Sequence, residues 1–191
     1  MNSFVTVVSG VPRSGTSLMM QMLGAGGLPL LTDGVRLPDK ENPRGYFEFE
    51  AVKRTARDST WVNAARGRAV KVIYALLRDL PPEFEYRVIF MHRDLREVAA
   101  SQRAMLMKLG APGAGVDDTR IASIFEVELA ATLTWLSGRA NFSLLQVDYR
   151  QSLEKPQSIA AAVNQFLDGG LDEAQMAAVV DPALYRHRGQ Y

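Results

Sequence analysis

The sequence predicts an α/β fold with a central parallel sheet and helices on both faces, in three layers, and three observations carry that expectation. Short β-branched runs alternate along the chain with stretches of helical apolar spacing. The first such run passes through a glycine-bounded turn directly into a helix. The chain of 191 residues is 47% hydrophobic, enough for one substantial core, so a single domain is expected over residues 1–191.

Val5 to Val8 reads as a buried strand, Gly10 to Gly15 as a turn, and Thr16 to Leu23 as a helix that the cluster Gly24, Gly26, Gly27 and Pro29 must end. Leu28 to Leu31 is a candidate short second strand. The turn-rich stretch through Pro43 and Gly45, followed by Tyr46-Phe-Glu-Phe-Glu50, reads as a loop crossing the mouth of the sheet. A helix is expected from about Ala51 to Arg66, with Trp61 as a core or rim anchor. Ala69 to Ile73 is a strand carrying Lys71, and Leu76 to Leu80 a brief helical turn before Pro81-Pro82. Arg87 to Met91 is a clear strand running into His92-Arg93-Asp94. Asp94 with Glu97 three residues on is a helix N-terminal signature, and that helix carries Leu95, Val98, Gln102, Met105 and Leu109. Gly110 to Thr119 reads as a mobile loop of small residues. Ile121 to Leu136 is an amphipathic helix, Phe142 to Val147 a strand ending at Asp148-Tyr149, and Ser158 to Leu167 a helix stopped by Gly169-Gly170. A last helix is expected at about Asp172 to Val180, before the tail Tyr185 to Gly189. There is no internal repeat and no low-complexity segment.

Bulk properties narrow the function classes. A net charge of +1 gives no reason to expect a nucleic-acid partner. With no cysteine and two histidines, disulfides and thiolate metal sites are excluded and a histidine zinc site is disfavoured, so no metal is expected. The first strand starts too early to leave room for a signal peptide, and no apolar run approaches the roughly 18 residues that span a bilayer. The expected location is the cytoplasm.

The strand, loop and helix of residues 5–22 carry the first candidate site. A helix N-terminus entered through a glycine loop aims several backbone N–H groups and the positive end of the helix dipole at one spot, which suits an anion. The spacing Gly10-x-x-x-x-Gly15-Thr16-Ser17 approaches the nucleotide-phosphate loop pattern, but Thr16 stands where that pattern has lysine. The cation is Arg13, inside the loop, where its planar fork suits an oxyanion held over the loop itself. ATP or GTP hydrolysis is therefore disfavoured.

The segment GVPRSGTS taken with HRDLREVAAS resembles the sulfotransferases that use 3′-phosphoadenosine 5′-phosphosulfate (PAPS) and release 3′-phosphoadenosine 5′-phosphate (PAP). The resemblance implies a P-loop NTPase-like fold. It assigns the 5′-phosphosulfate to Arg13, Ser14, Gly15, Thr16 and Ser17, and the 3′-phosphate to Arg93 and Ser101, which stand eight residues apart. Ser101 falls almost two helical turns after Asp94, about 10 Å along the axis on the same face, which suits a phosphate beside the helix start. Val147-Asp148-Tyr149 resembles the family's late strand ending in tyrosine, with Tyr149 open between adenine contact and core packing. Arg188-Gly189 echoes a C-terminal basic-glycine motif on the 3′-phosphate, and ENPRGYFE looks like a segment of bacterial members without assigned substrate. The sequence departs from the cytosolic small-molecule enzymes at their Lys-x-His base: Lys71 is kept, but the third position is Ile73.

The resemblance implies transfer of a sulfuryl group to a hydroxyl or amine acceptor by in-line displacement, with no metal. Backbone N–H groups of residues 14–17 are expected on the 5′-phosphate, and Arg13 and Lys71 on the charge that develops at the bridging oxygen. Glu48 is the first candidate base, by analogy with carbohydrate-modifying relatives, and Glu50 the second. A salt bridge from Glu48 to a nearby arginine is the equal alternative. His92 is a lesser candidate, since consecutive residues leaving a strand point to opposite faces. The alternatives are a Lys71 that snorkels from its strand and a Ser101 that is a plain helix-surface serine. The acceptor, small molecule or carbohydrate, stays open. Two other readings stand beside this one: a magnesium-dependent small-molecule or nucleotide kinase, with Asp148 as metal ligand, and a non-catalytic nucleotide-binding module that has lost its acceptor site.

Overall fold

The computed structural model describes residues 4–39, 42, 44–110 and 116–181. Four strands form the sheet: β1 (Val5–Gly10), β2 (Ala69–Lys71), β3 (Tyr86–His92) and β4 (Phe142–Asp148). All neighbours pair in parallel in the order β2-β1-β3-β4. Every residue of β1 is buried, as befits an uninterrupted apolar run in the middle of a parallel sheet. Val7 pairs with Val70 on one side and Val88 on the other.

Alternation along the strands feeds two cores. Val5 and Val7 of β1 and Tyr86, Val88 and Phe90 of β3 face one layer, shared with Trp61, Leu77, Val98 and Leu136. Val8, Ile89 and Met91 face the other, filled by Met19, Met20, Met22 and Leu23 of α1 (Thr16–Ala25) and by Val163 and Met176. The first layer holds α2 (Leu95–Leu109) and α3 (Asp118–Ser137); the second adds α4 (Tyr149–Glu154), α5 (Pro156–Phe166) and α6 (Glu173–Ala178). This is the expected α/β arrangement of a parallel sheet with helices on both faces.

The chain leaves β1 toward β2 and then crosses back over to β3. The carboxyl ends of β1 and β3 therefore flank the point where the strand order reverses, the place where open α/β sheets bind ligands.

Several element boundaries differ from the sequence reading. Leu28 to Leu31 forms no strand: Pro29 has no N–H to donate, and only a bridge of Leu30 to Ala69 survives, with Leu31 N–H donating to Ala69 O at 2.8 Å. The helix expected at Ala51 to Arg66 is two 3-10 turns, Glu50–Arg54 and Thr60–Ala65. Asp58 separates them by accepting from both the N–H (3.0 Å) and the hydroxyl (2.6 Å) of Thr60. Trp61 is nevertheless a core anchor, edge-on to Phe49 with its indole N–H on Thr55. β2 stops at Lys71, and Ile73 leads into a third 3-10 turn, Tyr74–Asp79.

Asp94 caps α2 as expected, accepting from the N–H groups of Arg96 (2.8 Å) and Glu97 (3.2 Å). Asp117 caps α3, which starts before Ile121. The short helix α4, capped by Asp148, was not expected at all. Of the loop expected at Gly110 to Thr119, residues 111–115 lie outside the described residues, while Asp118 and Thr119 already belong to α3; the tail holding Arg188 and Gly189 lies outside the described residues.

Candidate active site

A cavity of about 440 Å³ opens at the carboxyl edge of the sheet, bordered by the β1–α1 loop, α2, the end of β2, the start of α4 and the stretch Arg36 to Val52. The structure brings Arg13, Gly15, Thr16, Ser17, Glu48, Lys71, Arg93, Ser101 and Tyr149 together around it.

The loop owes its shape to its glycines. Gly10 has φ +145, and a Cβ there would meet Ser14 Oγ at 2.5 Å and Met91 O at 2.7 Å. Gly15, at φ +99, would drive a Cβ to 2.3 Å from the Tyr149 ring. Arg13 itself takes a positive φ of 72, an uncommon conformation for a residue with a Cβ. Ser14 is fully buried, its hydroxyl turned in against Gly10 rather than lining the cavity. No side chain caps α1 and its first turn has no acidic residue, so the N–H groups of Thr16, Ser17 and Leu18 lack helical acceptors beside the cavity.

The two sequence motifs meet in hydrogen bonds. Arg13 Nε donates to Ser101 Oγ at 3.0 Å, and Arg93 Nη1 donates to the carbonyl of Arg13 at 3.1 Å. Arg93 Nε also pairs with Glu97 at 3.0 Å, both side chains less than a tenth exposed. The Arg93 guanidinium lies 4.8 Å from the centre of the Tyr149 ring. Burial raises the Tyr149 pKa, against the lowering influence of Arg93 and Arg13, so the ring stays a neutral phenol.

Opposite, Lys71 Nζ donates to the carbonyl of Tyr46 at 3.0 Å and to Ser17 Oγ at 3.4 Å, and lies 3.9 Å from Glu48. Burial lowers the Lys71 pKa to about 8, with Arg36 and Arg13 adding to the fall and Glu48 opposing it. Glu48 also pairs with Arg36 at 2.8 Å, so the salt bridge and the cavity position coexist. Arg36 covers the face of Tyr46, whose hydroxyl donates to Asp39 at 2.8 Å. Asn42 donates to Ser17 Oγ at 2.9 Å.

Other candidates sit elsewhere. Glu50 pairs with Lys53 and does not line the cavity. His92 packs against Phe90, hydrogen-bonds Gln146, and has its pKa lowered by burial; it too is absent from the lining. Asp148, the metal ligand of the kinase reading, accepts from the Gln151 N–H as the cap of α4 and lies outside the cavity wall. Among the described residues no three His, Asp or Glu side chains cluster in a way that would hold a metal ion. No helix among them is long and apolar enough to cross a membrane.

Arg36, Asn42, Gln102 and Met105 line the cavity without having been singled out as site residues. Asn42 lay within the ENPRGYFE segment and Gln102 and Met105 on the expected apolar face of α2, but nothing near Arg36 marked it.

Neither a protein-family model nor a curated protein sequence matches the chain. Solved structures do. The chain is similar to the sulfotransferase domain of the Synechococcus PCC 7002 olefin synthase, at 18% identity and a TM-score of 0.56, over 98% of this chain and 84% of that one. It is similar to mouse sulfotransferase SULT7A1 complexed with PAP, at 14% identity and a TM-score of 0.57, over 93% and 63%. It is also similar to retinol dehydratase in a complex with retinol and PAP, at 17% identity and a TM-score of 0.53, over 94% and 64%. The chain thus spans under two thirds of the latter two. At these identities the likeness is one of fold: a parallel α/β sheet with helices on both faces, as in these sulfotransferase structures.

Proposed function

We propose that the chain is a PAPS-dependent sulfotransferase that acts on a hydroxyl or amine acceptor without a metal. The observation that supports this best is the convergence of an uncapped helix N-terminus, Arg13, Lys71, Arg93 and Ser101 on one cavity at the switch point of a sulfotransferase-like sheet. The residues fit the donor: cations and hydroxyls line the cavity beside the loop, the first N–H groups of α1 have no helical acceptors, and no acidic group stands in its first turn. Similarity to structures holding PAP supports the same donor.

In this reading the N–H groups of residues 15–17 and the hydroxyls of Thr16 and Ser17 hold the 5′-phosphate end, with Ser14 shaping the loop from within. Arg93 and Ser101 hold the 3′-phosphate. Arg13, tied to Ser101, adds charge between the two ends, and Arg188 and Gly189 are proposed to add contacts from the tail. When bound, the donor supplies a sulfuryl group whose S–O bond to the phosphate breaks as the acceptor oxygen or nitrogen bonds to sulfur. Lys71 offsets the charge left on the phosphate oxygen, and Glu48 accepts the acceptor's proton. Tyr149 supports the loop at Gly15 and lies beside the nucleotide.

The test is PAP release from PAPS in metal-free buffer, across a panel of hydroxyl and amine acceptors. Loss of one preorganised donor raises a barrier by about 2.7–4 kcal/mol, so Lys71→Ala should lower turnover at least a hundredfold. Turnover within a few-fold of wild type would remove Lys71 from the mechanism.

A further inference from the structure

Ser17 Oγ stands at the first turn of α1 on the cavity wall, and the hydrogen bonds it receives differ from those it gives. Its one short bond is received: Asn42 Nδ2 donates to it at 2.9 Å. Lys71 Nζ also faces it as a donor, at 3.4 Å. A serine hydroxyl has two lone pairs to accept with and one proton to give, and an amide NH2 or an ammonium can only donate. The lone pairs are therefore the side of Ser17 that the protein uses. Among the described residues the proton has only the Tyr46 carbonyl, 3.5 Å away, and that carbonyl already accepts from Lys71 at 3.0 Å. A hydrogen bond between two oxygens spans about 2.5–3.0 Å, so Tyr46 holds this proton weakly.

Asn42 is itself held in place. Its N–H donates to Asp39 Oδ1 at 2.9 Å, and its carbonyl accepts from the Gly45 N–H at 3.0 Å. The second Asp39 oxygen accepts from the Tyr46 hydroxyl at 2.8 Å. One carboxylate thus ties the backbone of Asn42 to Tyr46, the residue whose carbonyl holds Lys71. The sense of the Asn42 amide decides what Ser17 does: Nδ2 against the hydroxyl leaves the proton to be given elsewhere, whereas Oδ1 there would take it.

Resting on the sulfotransferase reading, we propose that Asn42 is a positioning residue: by donating to Ser17 Oγ it commits the serine's proton to an oxyanion over the first turn of α1, the 5′-phosphate of the donor. A hydroxyl so arranged favours a group that only accepts, a phosphate or sulfate oxygen, over a hydroxyl or ammonium group that needs an acceptor. The orientation is set before the ligand arrives, so none of the binding energy goes into turning the hydroxyl.

The test is a double-substitution cycle read by calorimetry with two probes, PAP and inorganic pyrophosphate. Asn42→Ala and Ser17→Ala should each weaken both probes about three- to tenfold, the scale of one hydrogen bond. The combined variant should bind within about twofold of Ser17→Ala alone, because Asn42 acts through Ser17. Asn42→Asp keeps the shape but offers a carboxylate that takes the serine's proton and repels the anion, so it should lose at least about tenfold more than Asn42→Ala. An Asn42→Ala loss that persists undiminished in the Ser17→Ala background, as a merely structural role would give, overturns the proposal. So does wild-type affinity for both probes in Asn42→Ala or Asn42→Asp, or a wild-type protein that binds neither probe. PAP binding without coupling between the two residues would remove the positioning role and leave the donor reading standing. Coupled pyrophosphate binding with no PAP binding would do the reverse, keeping the role of Asn42 and overturning the donor assignment.

Discussion

The two walls of the cavity are built on different physical terms. The wall formed by the β1–α1 loop, α2 and Tyr149 is buried and cross-linked: Arg93 holds the carbonyl of Arg13, Arg13 holds Ser101, and Glu97 fixes Arg93. The facing wall, from Arg36 to Glu48, hangs on partly exposed contacts, with Arg36 and Glu48 40% and 21% exposed. Buried charge networks keep their geometry because every member has a partner in a medium that screens little. Exposed pairs are screened and rearrange at small cost. The first wall is thus suited to a ligand of fixed shape, such as a nucleotide, and the second to adapting around an acceptor.

Breaking Lys71, which joins the two walls, should have the largest effect. Lys71→Ala is expected to cut turnover at least a hundredfold, and Arg13→Ala similarly, each matching a barrier increase of about 2.7–4 kcal/mol in steady-state assays. Next comes Gly15→Ala, which forces a Cβ into the Tyr149 ring at a positive φ. It should lower unfolding stability by about 2–3 kcal/mol in urea titration, from strain and overpacking together. Ser101→Ala removes the partner of Arg13 Nε, and PAP affinity should fall about tenfold by calorimetry, the usual scale for a hydrogen bond to a charged group.

A smaller effect comes from pH. Lys71 is charged below its pKa of about 8 and neutral above it, so its attraction for an anion is present at pH 7 and lost as pH rises past 8. PAP affinity should weaken by about three- to tenfold from pH 7 to 9, and the slope should flatten in Lys71→Ala. His92, whose pKa is lowered, and Tyr149, whose pKa is raised, stay neutral through that window. The smallest expected change is in Arg36→Met: an exposed pair of this kind contributes about 0–1 kcal/mol, so stability should shift by less than that. A larger loss would mean that the second wall is as rigid as the first.

The sequence was most legible where function follows from local geometry. Gly10 and Gly15 bracket a loop whose positive φ values at those two positions favour glycine, and the separation of Arg93 from Ser101 follows from helix pitch, so the buried wall was visible in residues close along the chain. The Arg36 to Glu48 contacts were not, because they depend on a long loop folding back on itself, and no periodicity marks which of its residues meet. The same holds for Asp58, which outcompetes a helix with a local hydrogen bond, and for Pro29, which reduces a strand to a bridge. Ile73 was visible as a departure from a motif, but its place on the cavity wall required the structure.

The central claim is that this cavity binds a 3′-phosphorylated adenosine donor without metal. Calorimetric titration with PAP, beside ADP and ATP, each with and without magnesium, tests it most directly. The account predicts tight PAP binding that is indifferent to magnesium and weakened by Arg93→Ala and Ser101→Ala, with ADP and ATP far weaker. Preference for ATP with magnesium, or PAP binding unchanged by both substitutions, would contradict it.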